Sequence, residues 1–332
     1  MSVVSVEVRD QSQVAEARRV ATTIATACGC TPTSTGRVAL VATELATNLL
    51  KHGGGGELLL STYDAEGSGG VQLLALDRGR GMQDVQACLR DGYSTAGSPG
   101  HGLGAVRRQS EFFDIFSQPG HGTAVLSRVV SVGAFQEQPE SATKTGFITV
   151  PKPGEEVCGD ALSIAPTQIG LTLLVADGLG HGQEAAVASL EAVRLFQRHV
   201  GLSLAELLQV MHAGMRATRG AAAAVVRFDT AQARVSFGGV GNIAGTVHTA
   251  GQSRHMISMN GTLGHVARKI QAFDYACPAG SLVILHSDGL STSWSLEKYP
   301  GLQQRDPTLI AAVLYRDHAR RRDDATVLVR KV

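Results

Sequence analysis

Apolar residues at 14, 17, 20, 21, 24 and 25 recur with a helical period over residues 11–28, and Thr31-Pro32 breaks the pattern. A second apolar stripe, Val38, Val41, Leu45 and Leu49, predicts a helix over 34–51. It stops at Gly53 to Gly56, four consecutive glycines that suit a helix end and a turn. Residues 3–8 alternate as an edge strand does, and strands are expected at 57–63, 71–76, 112–116 and 123–130. Residues 131–145 hold two Gln, two Glu and a Pro without apolar period, and read as a linker. Strand patterns then resume at 147–150, 171–176, 222–228, 233–237, 245–248, 281–286 and 326–332, with helices over 183–199, 203–216 and 308–320. In both halves the strands cluster instead of alternating with helices, so the expected class is α+β, with domains at 1–130 and 146–332.

The length, 332 residues, agrees with two domains of roughly 150 residues each. With 43% hydrophobic and 18% charged residues, each half can bury a core, which excludes a mainly disordered chain. Thirty Lys and Arg against 29 Asp and Glu argue against a polybasic nucleic-acid binder or a membrane-surface protein. No apolar run approaches the roughly 20 residues that span a bilayer, and the first ten residues do not form a signal peptide. Five cysteines without a Cys-x-x-Cys pair give neither a disulfide framework nor structural zinc, so a cytoplasmic location is expected. The 39 glycines imply many tight turns and close backbone approaches.

Three features of the first half carry candidate chemistry. Glu44 and Asn48 lie four apart and share one helix face, which is either a solvated face or a set of oxygen ligands for a hard cation. Asp77 follows an apolar strand and leads into Gly79 and Gly81. It is either an ordinary acidic turn or a carboxylate placed to accept from an exocyclic amine. Gly102 and Gly104 belong to a glycine cluster opening a helix, where free N–H groups suit phosphate.

Taken in order, these features resemble the Bergerat ATP-binding fold of the GHKL group, and more closely the small serine kinases and anti-sigma factors of the RsbT and RsbW type. The resemblance covers about residues 1–130. It rests on ATELATNLLKHGGGGE at 42–57, DRGRGMQD at 77–84, DGYSTAGSPGHGLGAVRR at 91–108 and GHGT at 120–123. It implies an α/β sandwich that binds ATP with Mg²⁺. Glu44 would be the general base, Asn48 the Mg²⁺ ligand and Asp77 the adenine contact. Gly79, Gly81, Gly102 and Gly104 would line the nucleotide, with Thr123 near the adenine. The loop departs from the commonest glycine pattern of the family by carrying Ser98-Pro99 and His101.

In the second half, Asp177-Gly178 and Asp288-Gly289 each end an apolar strand, Asp160 follows Gly159, and Asp323-Asp324 precedes the last strand. Each is a common turn by itself. Together, four carboxylate positions at strand ends can converge, and oxygen donors without His or Cys select Mg²⁺ or Mn²⁺. The glycines at 178, 180 and 182 do not have dinucleotide-fingerprint spacing. His181 could protonate a leaving oxygen or be a turn residue. Asn242 lines a groove or sits in a hairpin, and Cys158 reads as a buried filler.

The order resembles the SpoIIE and RsbX branch of the type 2C metal-dependent serine/threonine phosphatases, over about 146–332. The matching stretches are VCGDAL at 157–162, LLVADGLGHGQEAA at 173–186, GGVGNIAG at 238–245, LHSDGL at 285–290 and RRDDATVLV at 321–329. The resemblance implies an αββα sandwich with two Mn²⁺ or Mg²⁺ ions. Asp177 would bridge them, the Gly178 carbonyl and Asp160 would serve one ion, and Asp288 and Asp323 the other. Asp324 is expected to face away, as the next residue in a strand does. The implied reaction is in-line attack of water on phosphorus, without a phosphoenzyme.

Together the two resemblances imply a bacterial partner-switching regulator. It would dephosphorylate Ser or Thr on a STAS-domain antagonist or stressosome protein, and its ATP-binding half would act as kinase or regulator. The alternative is a module that binds a sigma factor or STAS protein with little phosphatase turnover. A homodimer fits either.

Overall fold

A computed structural model describes residues 3–65, 68–89, 102–131, 144–167 and 170–332. The glycine-rich stretch at 91–101 and most of the expected linker, 132–143, lie outside the described residues. The chain divides into two compact units, 1–143 with 298–316, and 144–297 with 317–332.

In the first unit, strands β1 (Val4–Val8), β2 (Gly56–Ala65), β3 (Ser68–Leu76), β4 (Phe112–Gln118) and β5 (Gly122–Val130) form one antiparallel sheet in the order β1-β2-β3-β5-β4. Helices α1 (Gln11–Ala27) and α2 (Pro32–His52) pack on one face, together with α4 (Gly102–Gln109); α3 (Val85–Cys88) is a single turn. Helix α1 starts at a capping box in which Asp10 accepts from the backbone N–H groups of Ser12 and Gln13. Helix α2 starts at a Thr31 cap followed by Pro32, and ends at Gly53. The core on this face joins Leu45 and Leu49 of α2 to Leu58, Leu60, Val71, Leu73 and Val125 of the sheet.

Strand alternation sends Leu59, Leu74, Leu76, Phe116 and Leu126 to the opposite face, yet each is at most 4% exposed. The cover comes from residues 298–316, which hold most of α7 (Pro307–His318). Arg128, on this outer face, donates to Asp306 at 3.2 and 3.4 Å and to Thr308 Oγ1 at 2.9 Å. Its guanidinium also lies over the Tyr63 and Phe112 rings, 4.6 and 4.9 Å from their centroids. Asp114 accepts from Arg305 and from the Asp306 N–H, and the Tyr315 hydroxyl donates to Glu57 at 3.0 Å. The rings of Phe116 and Tyr299 meet edge to face. Residues 298–316 were expected in the second domain; they group with the first because its sheet is apolar on both faces and α1 and α2 cover only one.

The second unit holds two five-stranded sheets. One is ordered β13-β10-β9-β8-β7 and the other β12-β11-β14-β15-β6. The first contains β7 (Asp160–Thr167), β8 (Gly170–Gly178), β9 (Ala221–Asp229), β10 (Arg234–Val240) and β13 (Ala272–Ala276). The second contains β6 (Thr145–Val150), β11 (Ala244–Thr249), β12 (Gln252–Met256), β14 (Leu282–His286) and β15 (Ala325–Lys331). Leu173, Val226 and Phe237 from one sheet and Val247, Val283, Leu285 and Leu328 from the other share one core, as in a sandwich. Helices α5 (Gln183–His199) and α6 (Leu204–Gly214) cover the first sheet with Phe196, Leu207 and Met211. Strands β7, β12 and β13, absent from the sequence reading, are all sheet edges. An edge strand has little apolar alternation to reveal it: β12 is exposed at four of five positions and β7 carries Pro166.

Candidate functional site

In the second unit the carboxylates gather at one end of the sandwich. Asp160 opens β7 and stands directly opposite Asp177, near the end of β8. Asp288 lies two residues past β14, and Asp323 and Asp324 immediately precede β15. The two loops close by backbone contact. Arg320 N–H donates to Gly289 O, and a Cβ on Gly289 would lie 1.9 Å from the Asp324 carbonyl oxygen, so no other residue fits there.

The Ser287 hydroxyl ties the centre together. It donates to Asp160 Oδ2 at 2.7 Å and accepts from the Thr326 N–H at 3.0 Å. Asp160 Oδ1 is buried without a hydrogen-bond partner, as is Asp324 Oδ2. Asn242 donates to Asp288 Oδ2 at 2.7 Å, so it acts on a carboxylate of the site and does not merely shape a hairpin. His181 bonds Glu155 through Nδ1 at 2.6 Å.

Asp324 departs from expectation. Its side chain is buried, its Oδ1 accepts from Lys152 N–H at 2.9 Å, and its Oδ2 points to Gly159, beside Asp160. Strand alternation does not apply to it, because β15 begins one residue later, at Ala325. Asp323 is half-buried, and its Oδ1 accepts from the Asp324 N–H at 3.0 Å.

The electrostatics follow from crowding like charges out of water. Burial first, then Asp160, Asp288, Asp323 and Asp324, push the Asp177 carboxyl up to about 9. Burial pushes Asp160 up to about 7, with Ser287 opposing and Asp324 adding to the rise. Asp288 is raised by burial and by Asp323. Burial also raises the Cys158 thiol, which suits a buried filler and not a nucleophile. Among the described residues no three His, Cys, Asp or Glu side chains close around a single point.

In the first unit, α2 places Glu44 and Asn48 on its half-buried side while Leu45 and Leu49 enter the core. Asn48 Nδ2 is buried without a partner, and Oδ1 faces the start of α4 at Gly102. Gly104 lies within the first turn of α4. Asp77 follows β3; its Oδ1 accepts from Gly79 N–H at 2.8 Å and from Thr123 N–H at 3.2 Å. Its N–H donates to Thr123 O at 2.9 Å. Burial raises the Asp77 carboxyl, and the two N–H groups oppose that rise. Gly79 packs on Gly53 beneath α2, Gly81 holds a positive φ against Gln118, and Thr123 Oγ1 meets Ser117 Oγ at 2.9 Å.

Family models match both halves of the chain. Residues 8–128 match the family described as "Histidine kinase-like ATPase domain", and residues 168–332 match "Stage II sporulation protein E (SpoIIE)". The chain therefore carries a GHKL-type ATPase domain and a type 2C serine/threonine phosphatase domain of the SpoIIE family. It is 28% identical over 120 residues to the serine/threonine-protein kinase RsbT of Bacillus subtilis, covering 36% of this chain and 90% of RsbT. It is 27% identical over 141 residues to the phosphoserine phosphatase RsbX of the same organism, covering 42% of this chain and 71% of RsbX. A solved structure described under "The bacterial stressosome" shares 29% identity with a TM-score of 0.53, over 56% of this chain and 97% of that one. No helix among the described residues is long and apolar enough to cross a membrane.

Proposed function

We propose that the chain hydrolyses phosphoserine or phosphothreonine on a small STAS-type regulatory protein, and that its ATPase-like unit binds ATP to phosphorylate or regulate in the same circuit. The observation that carries this is the gathering of Asp160, Asp177, Asp288, Asp323 and Asp324 at one sandwich edge, with two buried carboxylate oxygens left unpaired. Unpaired carboxylate oxygens among like charges call for a cation, and an all-oxygen donor set fits Mg²⁺ or Mn²⁺.

In this reading Asp177 would help to hold both ions, Asp160 and the Gly178 carbonyl would hold one, and Asp288 and Asp323 would hold the other. When bound, the ions would supply an activated water and neutralise charge on the phosphoryl oxygens. The chain's own residues prepare the site. Ser287 holds one oxygen of Asp160 and leaves the other available, and Asn242 orients Asp288. The test is to mix the protein with a phosphorylated STAS-domain protein and Mn²⁺ and follow mass. Loss of about 80 Da per phosphate (HPO₃) is expected, and EDTA should stop it. An unchanged mass with the ion bound would overturn the reading.

For the nucleotide unit, Glu44 is the proposed general base, Asn48 the Mg²⁺ ligand, Asp77 the adenine contact and Thr123 its neighbour, with Gly79, Gly81, Gly102 and Gly104 lining the nucleotide. ATP affinity measured by calorimetry should survive Glu44→Ala. It should weaken by roughly 1.5–3 kcal/mol in Asp77→Asn, which loses a charge-assisted hydrogen bond. Equal affinities for the two variants would reject the pocket assignment.

A further inference from the structure

Asp77 depends for its position on a residue far along the chain. Its Oδ1 is occupied by two backbone N–H groups, so Oδ2 is the oxygen left for an adenine amine. The backbone that aims this carboxylate runs straight into Gly79 and Gly81, which give it little stiffness of their own. On the other side, the Asp77 carbonyl is held by Arg316. The buried guanidinium donates from Nη1 to Asp77 O at 3.2 Å. Arg78 donates in return to the Arg316 carbonyl, near the end of α7, so adjacent residues of the two segments clasp each other. One residue earlier, Tyr315 is bonded to Glu57, which pairs with Leu76 beside Asp77. Gly122 closes on the same carbonyl, since a Cβ there would lie 2.1 Å from the Asp77 backbone oxygen. The Arg316 charge also opposes the rise that burial imposes on the Asp77 carboxyl.

We infer that Arg316 is a positioning residue of the nucleotide pocket, acting through the Asp77 backbone to set how well the site reads the adenine amine. It comes from a segment lying in sequence between the phosphatase-site carboxylates Asp288 and Asp323, so the nucleotide unit is completed by chain that belongs, by order, to the phosphatase half. The inference rests on the proposed reading of Asp77 as the adenine contact.

The test compares ATP with inosine triphosphate, which lacks the amine, by calorimetry on the full chain. The unmodified protein should prefer ATP by about tenfold or more, the size of one charge-assisted hydrogen bond. Arg316→Ala should bring that ratio close to one by weakening ATP alone, and Arg316→Lys, which keeps a donor and the charge, should restore part of it. An unchanged ratio in Arg316→Ala, or an equal loss for both nucleotides, would overturn the inference. Should Arg316→Ala not fold, Arg78→Ala reads the same clasp from an exposed side chain. There a fall of about threefold in the ratio is expected, the size of one ordinary hydrogen bond, and no fall overturns the inference. If the unmodified protein does not distinguish the nucleotides, the Asp77 reading fails instead.

Discussion

Asp177→Asn should abolish nearly all Mn²⁺-dependent hydrolysis of p-nitrophenyl phosphate, a loss of about a thousandfold or more. In the proposed reading this carboxylate would help to hold both ions, and metal stabilisation of phosphoryl transfer is worth several kcal/mol, at 1.36 kcal/mol per tenfold. The loss should not reflect unfolding. In the native chain burial and four carboxylates push Asp177 up to about 9, whereas an unfolded aspartate titrates near 4. Between those values the native state holds a proton that the unfolded state has released, so stability falls as pH rises. An amide has no such proton. In EDTA, Asp177→Asn should therefore melt no lower than the parent at pH 6, and above it at pH 9. Undiminished hydrolysis in this variant would reject the site. A lower melting temperature at both pH values would assign the loss to misfolding.

The second large effect concerns dissection of the chain. A fragment ending at residue 143 should be poorly folded, although it contains the whole stretch that matches the ATPase family. It would lose residues 298–316 and expose Leu59, Leu74, Leu76, Phe116 and Leu126, each at most 4% exposed in the complete unit. Burying a side chain of that size is worth about 1.5–3 kcal/mol, so uncovering five approaches the whole stability of a domain. Arg128 would also lose Asp306 and Thr308. The fragment should bind a hydrophobic dye and melt broadly, and a synthetic peptide of residues 298–318 should restore a cooperative transition. A fragment that melts as sharply alone as with the peptide would show the outer face to be self-sufficient. Cutting at the linker then would yield two independent halves, the outcome expected from the polar, aperiodic composition of 131–145 alone.

Most of the local structure was legible along the chain. The helices over 11–27 and 32–52 were legible because their apolar stripes have a helical period and their ends carry Pro32 and Gly53. The buried strands ending in Asp177 and leading to Asp288 were legible as apolar runs that stop at Asp-Gly. Those are properties of neighbours along the chain. Three features depend on contacts between residues far apart in the chain. Asp324 turns inward because its backbone lies outside the strand and its neighbours in space are Gly159 and Lys152, more than 160 residues away by number. Ser287 became part of the site only when β14 brought its hydroxyl to Asp160. The helix expected over 308–320 is α7, and the reading placed it in the second domain, whereas residues 298–316 group with the first unit. Nothing in a run of apolar residues says which of two apolar surfaces it will cover, and here the segment meets the second apolar face of the first sheet together with Arg128, Asp114 and Glu57.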